Sequence, residues 1–171
     1  MERNSSMPES RKRTEKERGR ESSQTESAAQ NAAAESGTDE TRAEGLDERV
    51  RLALHAAAEK KAHDLVVLDL REVASFTDYF VIASGTNVRQ VQAIADEVQE
   101  QLRKRLVVKP ARVEGYKSAE WVLLDYGDFI FHVFEEKSRR FYDLERLWRD
   151  AVRVAVPPDV AGGEGSLRNE R

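Results

Sequence analysis

Where this chain can fold is limited first by where its hydrophobic residues lie. All twelve aromatic side chains fall between Phe76 and Trp148, and residues 1–44 contain no aromatic residue, Leu, Ile or Val. Such a segment cannot bury enough apolar surface to offset the entropy lost on ordering it. Residues 1–44 are therefore expected to form a disordered tail. Its basic cluster at residues 11–20 is interleaved with Glu, which cancels much of the charge. The Pro- and Gly-rich end, residues 158–171, reads as a second loose tail. Residues 45–157 remain as the folding unit, a length at which chains commonly fold alone around one core.

Composition removes several function classes. With no cysteine, the chain has no disulfide framework, thiolate nucleophile or Cys-ligated zinc. No apolar run approaches the ~20 residues that span a bilayer, and the charged N-terminus lacks the apolar core of a secretory signal. A cytoplasmic protein without a membrane partner is expected. The formal net charge is −4. A protein held by nucleic acid usually presents a basic face, because phosphate neutralisation supplies much of the affinity. A basic protein partner fits this chain better.

Periodicity supplies the elements. Residues 46–63 are Ala-rich with helical spacing, and Asp47 stands at the start, where a carboxylate favours the helix dipole. Residues 65–70 and 79–84 are continuous apolar runs, the pattern of strands buried on both faces. Gly85-Thr86-Asn87 is turn and cap chemistry before a helix at 88–106, whose Val91, Ile94, Ala95, Val98 and Leu102 form one core face. Pro110 places a short strand on a sheet edge. Residues 119–124 and 129–134 form a hairpin about Tyr126-Gly127, and 142–154 read as a closing helix. The order α-β-β-α-β-β-β-α predicts an α/β fold, a mixed sheet of roughly four to five strands with flanking helices.

Three blocks in this order resemble the ribosomal silencing factor family, also called the Iojap family. The first is Thr77-Asp78-Tyr79-Phe80-Val81-Ile82-Ala83-Ser84-Gly85-Thr86, followed by Arg89-Gln90-Val91 and Ile94-Ala95-Asp96. The second comprises Glu114-Gly115, Trp121-Val122-Leu123-Leu124-Asp125-Tyr126-Gly127-Asp128 and His132-Val133-Phe134. The third is Arg139-Arg140-Phe141-Tyr142-Asp143-Leu144-Glu145-Arg146-Leu147-Trp148. The resemblance spans residues 46–151. It implies a nucleotidyltransferase-like sheet without the catalytic equipment. It also implies a partner, the large ribosomal subunit, gripped through its protein fourteen so that the small subunit cannot join. Translation would then fall when nutrients are scarce.

Candidate contact residues follow from the residues and this resemblance together. Trp121 leads, because aromatics dominate interface hot spots and a matching Trp in the family faces the partner. Tyr116, Lys117, Ser118 and Glu120 lie beside it on a loop and strand edge, where recognition concentrates. Glu114 could meet a Lys or Arg of the partner. Asp125 and Asp128 flank the hairpin turn, and turn chemistry explains them better than a metal or acid–base pair, while their charge keeps both as partner-contact candidates. His132 lies mid-strand within the second block, where core or surface packing is the plainer reading and a place near the partner surface the other. It and the other two histidines, His55 and His63, form no metal-ligand pattern with neighbouring Cys or carboxylates. Arg139 and Arg140 leave two readings open, a minor rRNA phosphate contact or ion pairs to Glu135, Glu136 or Asp143. No catalytic residue, cofactor or metal is expected. A homodimer is compatible with the apolar sheet edges. The other readings are a large-subunit assembly factor using the same surface and a small nucleotidyltransferase. The latter lacks the carboxylates that would converge on Mg²⁺ after Gly85-Thr86.

Overall fold

A computed structural model describes residues 45–161. The tail expected over residues 1–44 and the end at 162–171 lie outside the described residues. A six-stranded mixed sheet forms the centre, in the order β3-β4-β5-β2-β1-β6. The chain runs α1 (Glu48–Glu59), β1 (His63–Asp69), β2 (Tyr79–Gly85), α2 (Val88–Leu106), β3 (Arg112–Glu114), β4 (Trp121–Asp125) and β5 (Phe129–Glu135). It then closes through α3 (Glu136–Tyr142), α4 (Leu144–Leu147), β6 (Val152–Val154) and α5 (Pro158–Ala161). Among the described residues only β2 and β5 pair in parallel; β1–β2, β1–β6, β3–β4 and β4–β5 are antiparallel.

Local chemistry starts and stops each helix. The Asp47 side chain accepts from the Arg49 N–H and caps α1, and the Asn87 side chain accepts from the Gln90 N–H and caps α2. The Gln90 side chain donates to the carbonyls of Lys60 and Lys61, so the first turn of α2 closes the last turn of α1. α2 ends at Val107 in the left-handed region, φ 57°, a conformation that a β-branched residue adopts only at a cost.

The sheet separates two apolar clusters. On one side α1 and α2 lay Val50, Ala53, Leu54, Ala57, Val91, Ile94, Val98 and Leu102 over Val67, Val81, Val122, Phe131 and Val133. All of the α2 residues read as its core face are fully buried. Side chains of this kind each contribute roughly 1.5–3 kcal/mol on burial. On the other side Val66, Leu68, Phe80, Ile82, Ile130 and Phe134 meet Leu144 and the partly buried Trp121, Leu123, Trp148 and Ala151.

The closing segment differs from the single helix read over 142–154. Asp143 adopts a left-handed conformation, φ 44°, which ends α3 and starts the one-turn α4. The chain then extends, and Val152-Arg153-Val154 pairs with the free edge of β1 as the sixth strand. Val154 is buried against the helix-covered face, while Arg153 opposes Leu68 and turns to the other. Pro158–Ala161 adds a helical turn that buries Val160 beside α1, where His55 and Asp159 form a bridge of 2.9 Å.

Candidate functional site

Antiparallel pairing decides which side chains stand together. Trp121 opposes Phe134, Leu123 opposes His132 and Asp125 opposes Ile130. These six share the face that α1 and α2 leave uncovered, and Glu114 joins them because β3 sets it opposite Leu123. β4 reads partly buried, buried, partly buried in strict alternation, so Trp121 and Leu123 look outward while Val122 and Leu124 fill the core.

Aromatic rings run continuously across this face. The Trp121 indole stacks on Phe134, with centroids 4.9 Å apart, and meets Tyr142 at a tilt, also at 4.9 Å; Phe134 and Tyr142 are themselves 6.4 Å apart, so the three rings form one cluster. Tyr142 touches Phe141 edge-on at 5.0 Å. In the opposite direction His132 sits edge-on to Phe80 at 4.6 Å, and Phe80 contacts Trp148, which contacts Phe76. The ends of the row are open: Phe141 is 81% exposed, Phe76 57% and Tyr142 49%. The row is half buried, and the exposed Glu114 lies on the same face.

The loop before Trp121 is pinned. Tyr116 donates its hydroxyl to Asp96 at 2.9 Å, and Gln92 donates to the Tyr116 carbonyl at 3.0 Å. The hydrogen bond to Asp96 pushes the Tyr116 pKa up. Ala119 is buried at φ 52°, and its N–H donates to the Gly115 carbonyl. Gly115, at φ +75°, lies so close to Trp121 that a Cβ there would sit 2.0 Å from the Trp121 carbonyl oxygen. Only glycine fits.

The residues singled out from sequence thus divide. Trp121, His132 and Glu114 share the face opposite α1 and α2, where Glu114 is exposed, Trp121 partly buried and His132 buried, so His132 itself is not available to a partner. Tyr116 turns instead to α2, on the helix-covered side, and Lys117, Ser118 and Glu120 are exposed around the loop. Asp125 accepts from the Gly127 N–H at 2.9 Å, a side-chain turn, while Asp128 binds Arg49 at 2.7 Å. Both lie at the hairpin end, about 13 Å along β4 from Trp121 at ~3.3 Å per residue. Arg139 donates to Ser84 Oγ, the Asp64 carbonyl and Glu145, so its charge is satisfied internally by a partner other than the three carboxylates considered. At the start of α2, the Thr86 N–H and hydroxyl both donate to Gln90 Oε1. Among the described residues no group of three or more His, Cys, Asp or Glu could hold a metal, and no helix is long and apolar enough to cross a membrane.

A family model described as "Ribosomal silencing factor during starvation" matches residues 43–170. The chain belongs to the ribosomal silencing factor family. The ribosomal silencing factor of Halalkalibacterium halodurans is 40% identical over 109 residues, 64% of this chain and 92% of the relative. A mouse protein named "Mitochondrial assembly of ribosomal large subunit protein 1" is 30% identical over 93 residues, 53% of this chain and 40% of the relative. A crystal structure of a Chromobacterium violaceum protein superposes with a TM-score of 0.57 at 38% identity, covering 60% of this chain and 84% of that one. The family is named for regulation rather than for catalysis.

For this family member, sequence reasoning missed Tyr142, Phe141, Trp148 and Phe76 as parts of the aromatic row. An unbroken helix would have set Leu147 and Trp148 on one buried face, yet Leu147 is 74% exposed. The available signal was Asp143 itself, one of the few residue types that enters the left-handed region readily.

Proposed function

We propose that this protein is a non-enzymatic translational repressor in the cytoplasm. It docks on the large ribosomal subunit through that subunit's protein fourteen and so blocks joining of the small subunit. Membership of the silencing family supports the ribosomal target. The observation that carries the contact site is Trp121, partly exposed and packed against Phe134 and Tyr142 on the face opposite α1 and α2. A mildly acidic chain with Glu114 exposed on that face complements a basic ribosomal protein. No covalent step is required. A ligand that prefers the free large subunit lowers the joined fraction by mass action.

Co-sedimentation with separated subunits tests this reading. The protein should pellet with large subunits alone and reduce joined ribosomes when small subunits are added. Trp121→Ala should weaken pelleting while the fold persists. Pelleting with neither subunit would refute the proposal. The mouse relative's name favours a second reading, assembly of the large subunit through the same face. In that case loss of the protein would leave large-subunit precursors even in rich medium.

A further inference from the structure

His132 is 3% exposed in the middle of β5. Its strand neighbours on the same face, Ile130 and Phe134, are apolar, and so are the residues it touches across the sheet. Its Nδ1 lies 3.1 Å from Trp121 Nε1. An indole N–H can only donate, so Nδ1 must be the acceptor and the imidazole proton must sit on Nε2. That Nε2 is buried with no hydrogen-bond partner. A buried N–H left unpaired is destabilising, a cost that Leu or Phe at this position would avoid. One return for that cost is visible, the bond to Trp121.

We propose that His132 is a positioning residue whose acceptor fixes the Trp121 indole in its partner-ready orientation. The proposal rests on Trp121 being the contact residue. His132 itself is too buried to touch a partner and acts through the indole. Phe134 stacks on the indole and Tyr142 packs against it at a tilt, ring contacts that set no direction for its N–H. The bond to His132 supplies that last constraint and turns the N–H inward, leaving the outer edge of the ring apolar. The orientational entropy of a large side chain is then lost on folding rather than on docking. Burial, reinforced by the positive charge of Arg139, lowers the His132 pKa to about 3, so the acceptor is present at neutral pH.

Two variants separate positioning from packing. His132→Asn keeps an acceptor near the Nδ1 position, whereas His132→Leu removes it without opening a large cavity. Hydrogen exchange of the indole N–H in the free protein, assigned by its absence in Trp121→Phe, reads the lock without any partner. Co-sedimentation with large subunits reads its use. Exchange protection should survive in His132→Asn and fall at least tenfold in His132→Leu. His132→Leu should bind large subunits roughly three- to tenfold more weakly at equal or greater stability against urea, with His132→Asn restoring most of the affinity. In a Trp121→Phe background, His132→Leu should cause no further loss. Unchanged exchange and binding in His132→Leu, or equal losses in both variants, would overturn the proposal. If Trp121→Phe binds normally while exchange behaves as described, the contact assignment fails but the lock stands.

Discussion

Two glycines with nearly the same backbone conformation isolate what holds the Trp121 loop in place. Gly115 has φ +75° and Gly127 φ +86°, so alanine at either pays about 1 kcal/mol to enter the left-handed region. Their surroundings differ. A Cβ on Gly127 meets nothing within 4 Å, whereas one on Gly115 lies 2.0 Å from the Trp121 carbonyl oxygen. That oxygen is backbone and cannot rotate away, so the start of β4 has to shift by more than an ångström. Overpacking of this kind adds about 1–3 kcal/mol. Gly127→Ala should therefore cost about 1 kcal/mol and Gly115→Ala about 2–4 kcal/mol, a large share of the ~5–15 kcal/mol of a typical domain. With urea m-values of ~1–3 kcal/mol/M, the midpoint should fall about 1–2 M for Gly115→Ala and about half a molar for Gly127→Ala. At low urea, where both are folded, only Gly115→Ala should also weaken large-subunit pelleting, because it moves Trp121. Equal midpoint shifts for the two variants would refute the idea that close approach, rather than φ alone, fixes this loop.

Three further outcomes are expected. Val107, 87% exposed at φ 57°, gains little from its side chain, so Val107→Gly should raise stability by about 1 kcal/mol and lift the melting temperature by several degrees in calorimetry. Arg139→Ala should destabilise by about 2–3 kcal/mol in urea titration by stranding Ser84 and Glu145, and Arg139→Lys should not restore it, because the planar fork serves three acceptors. The His132 pKa is depressed to about 3 when folded but is about 6.5 when unfolded. Between these values the unfolded chain binds the extra proton, so stability is intact above about pH 6.5 and falls on acidification by up to ~1.4 kcal/mol per pH unit. At pH 5 that amounts to about 2 kcal/mol relative to pH 7.5, and His132→Leu should remove this component in paired urea titrations.

Elements with a strong period of their own were legible from the sequence. The face of α2 repeats over five buried residues, and β2 and β5 are apolar runs that only a sheet interior accommodates. The closing segment was not, since its structure depends on neighbours. Three residues of β6 make a strand only because β1 offers an unpaired edge, and in isolation Val152-Arg153-Val154 continues the preceding helical pattern equally well. Asp143 breaks that pattern by a single backbone rotation that leaves the hydrophobic spacing looking intact.

The site was legible only as a list, for a related reason. Sequence adjacency placed Tyr116 next to Trp121, but Ala119 and Gly115 reverse the chain between them and send the two rings to opposite sides of the sheet. Conversely, Trp121 and His132 lie eleven residues apart and meet because Trp121 pairs with Phe134. A register shifted by one residue would have left His132 against the helix-covered core with no donor to meet it. Register depends on the turn at Asp125–Asp128 and on the partner strand together, so the contact between the two residues follows from the hairpin as a whole. The same pairing gives a buried imidazole with only its Nδ1 hydrogen-bonded, at the centre of an apolar face, a physical reason that neither strand supplies alone.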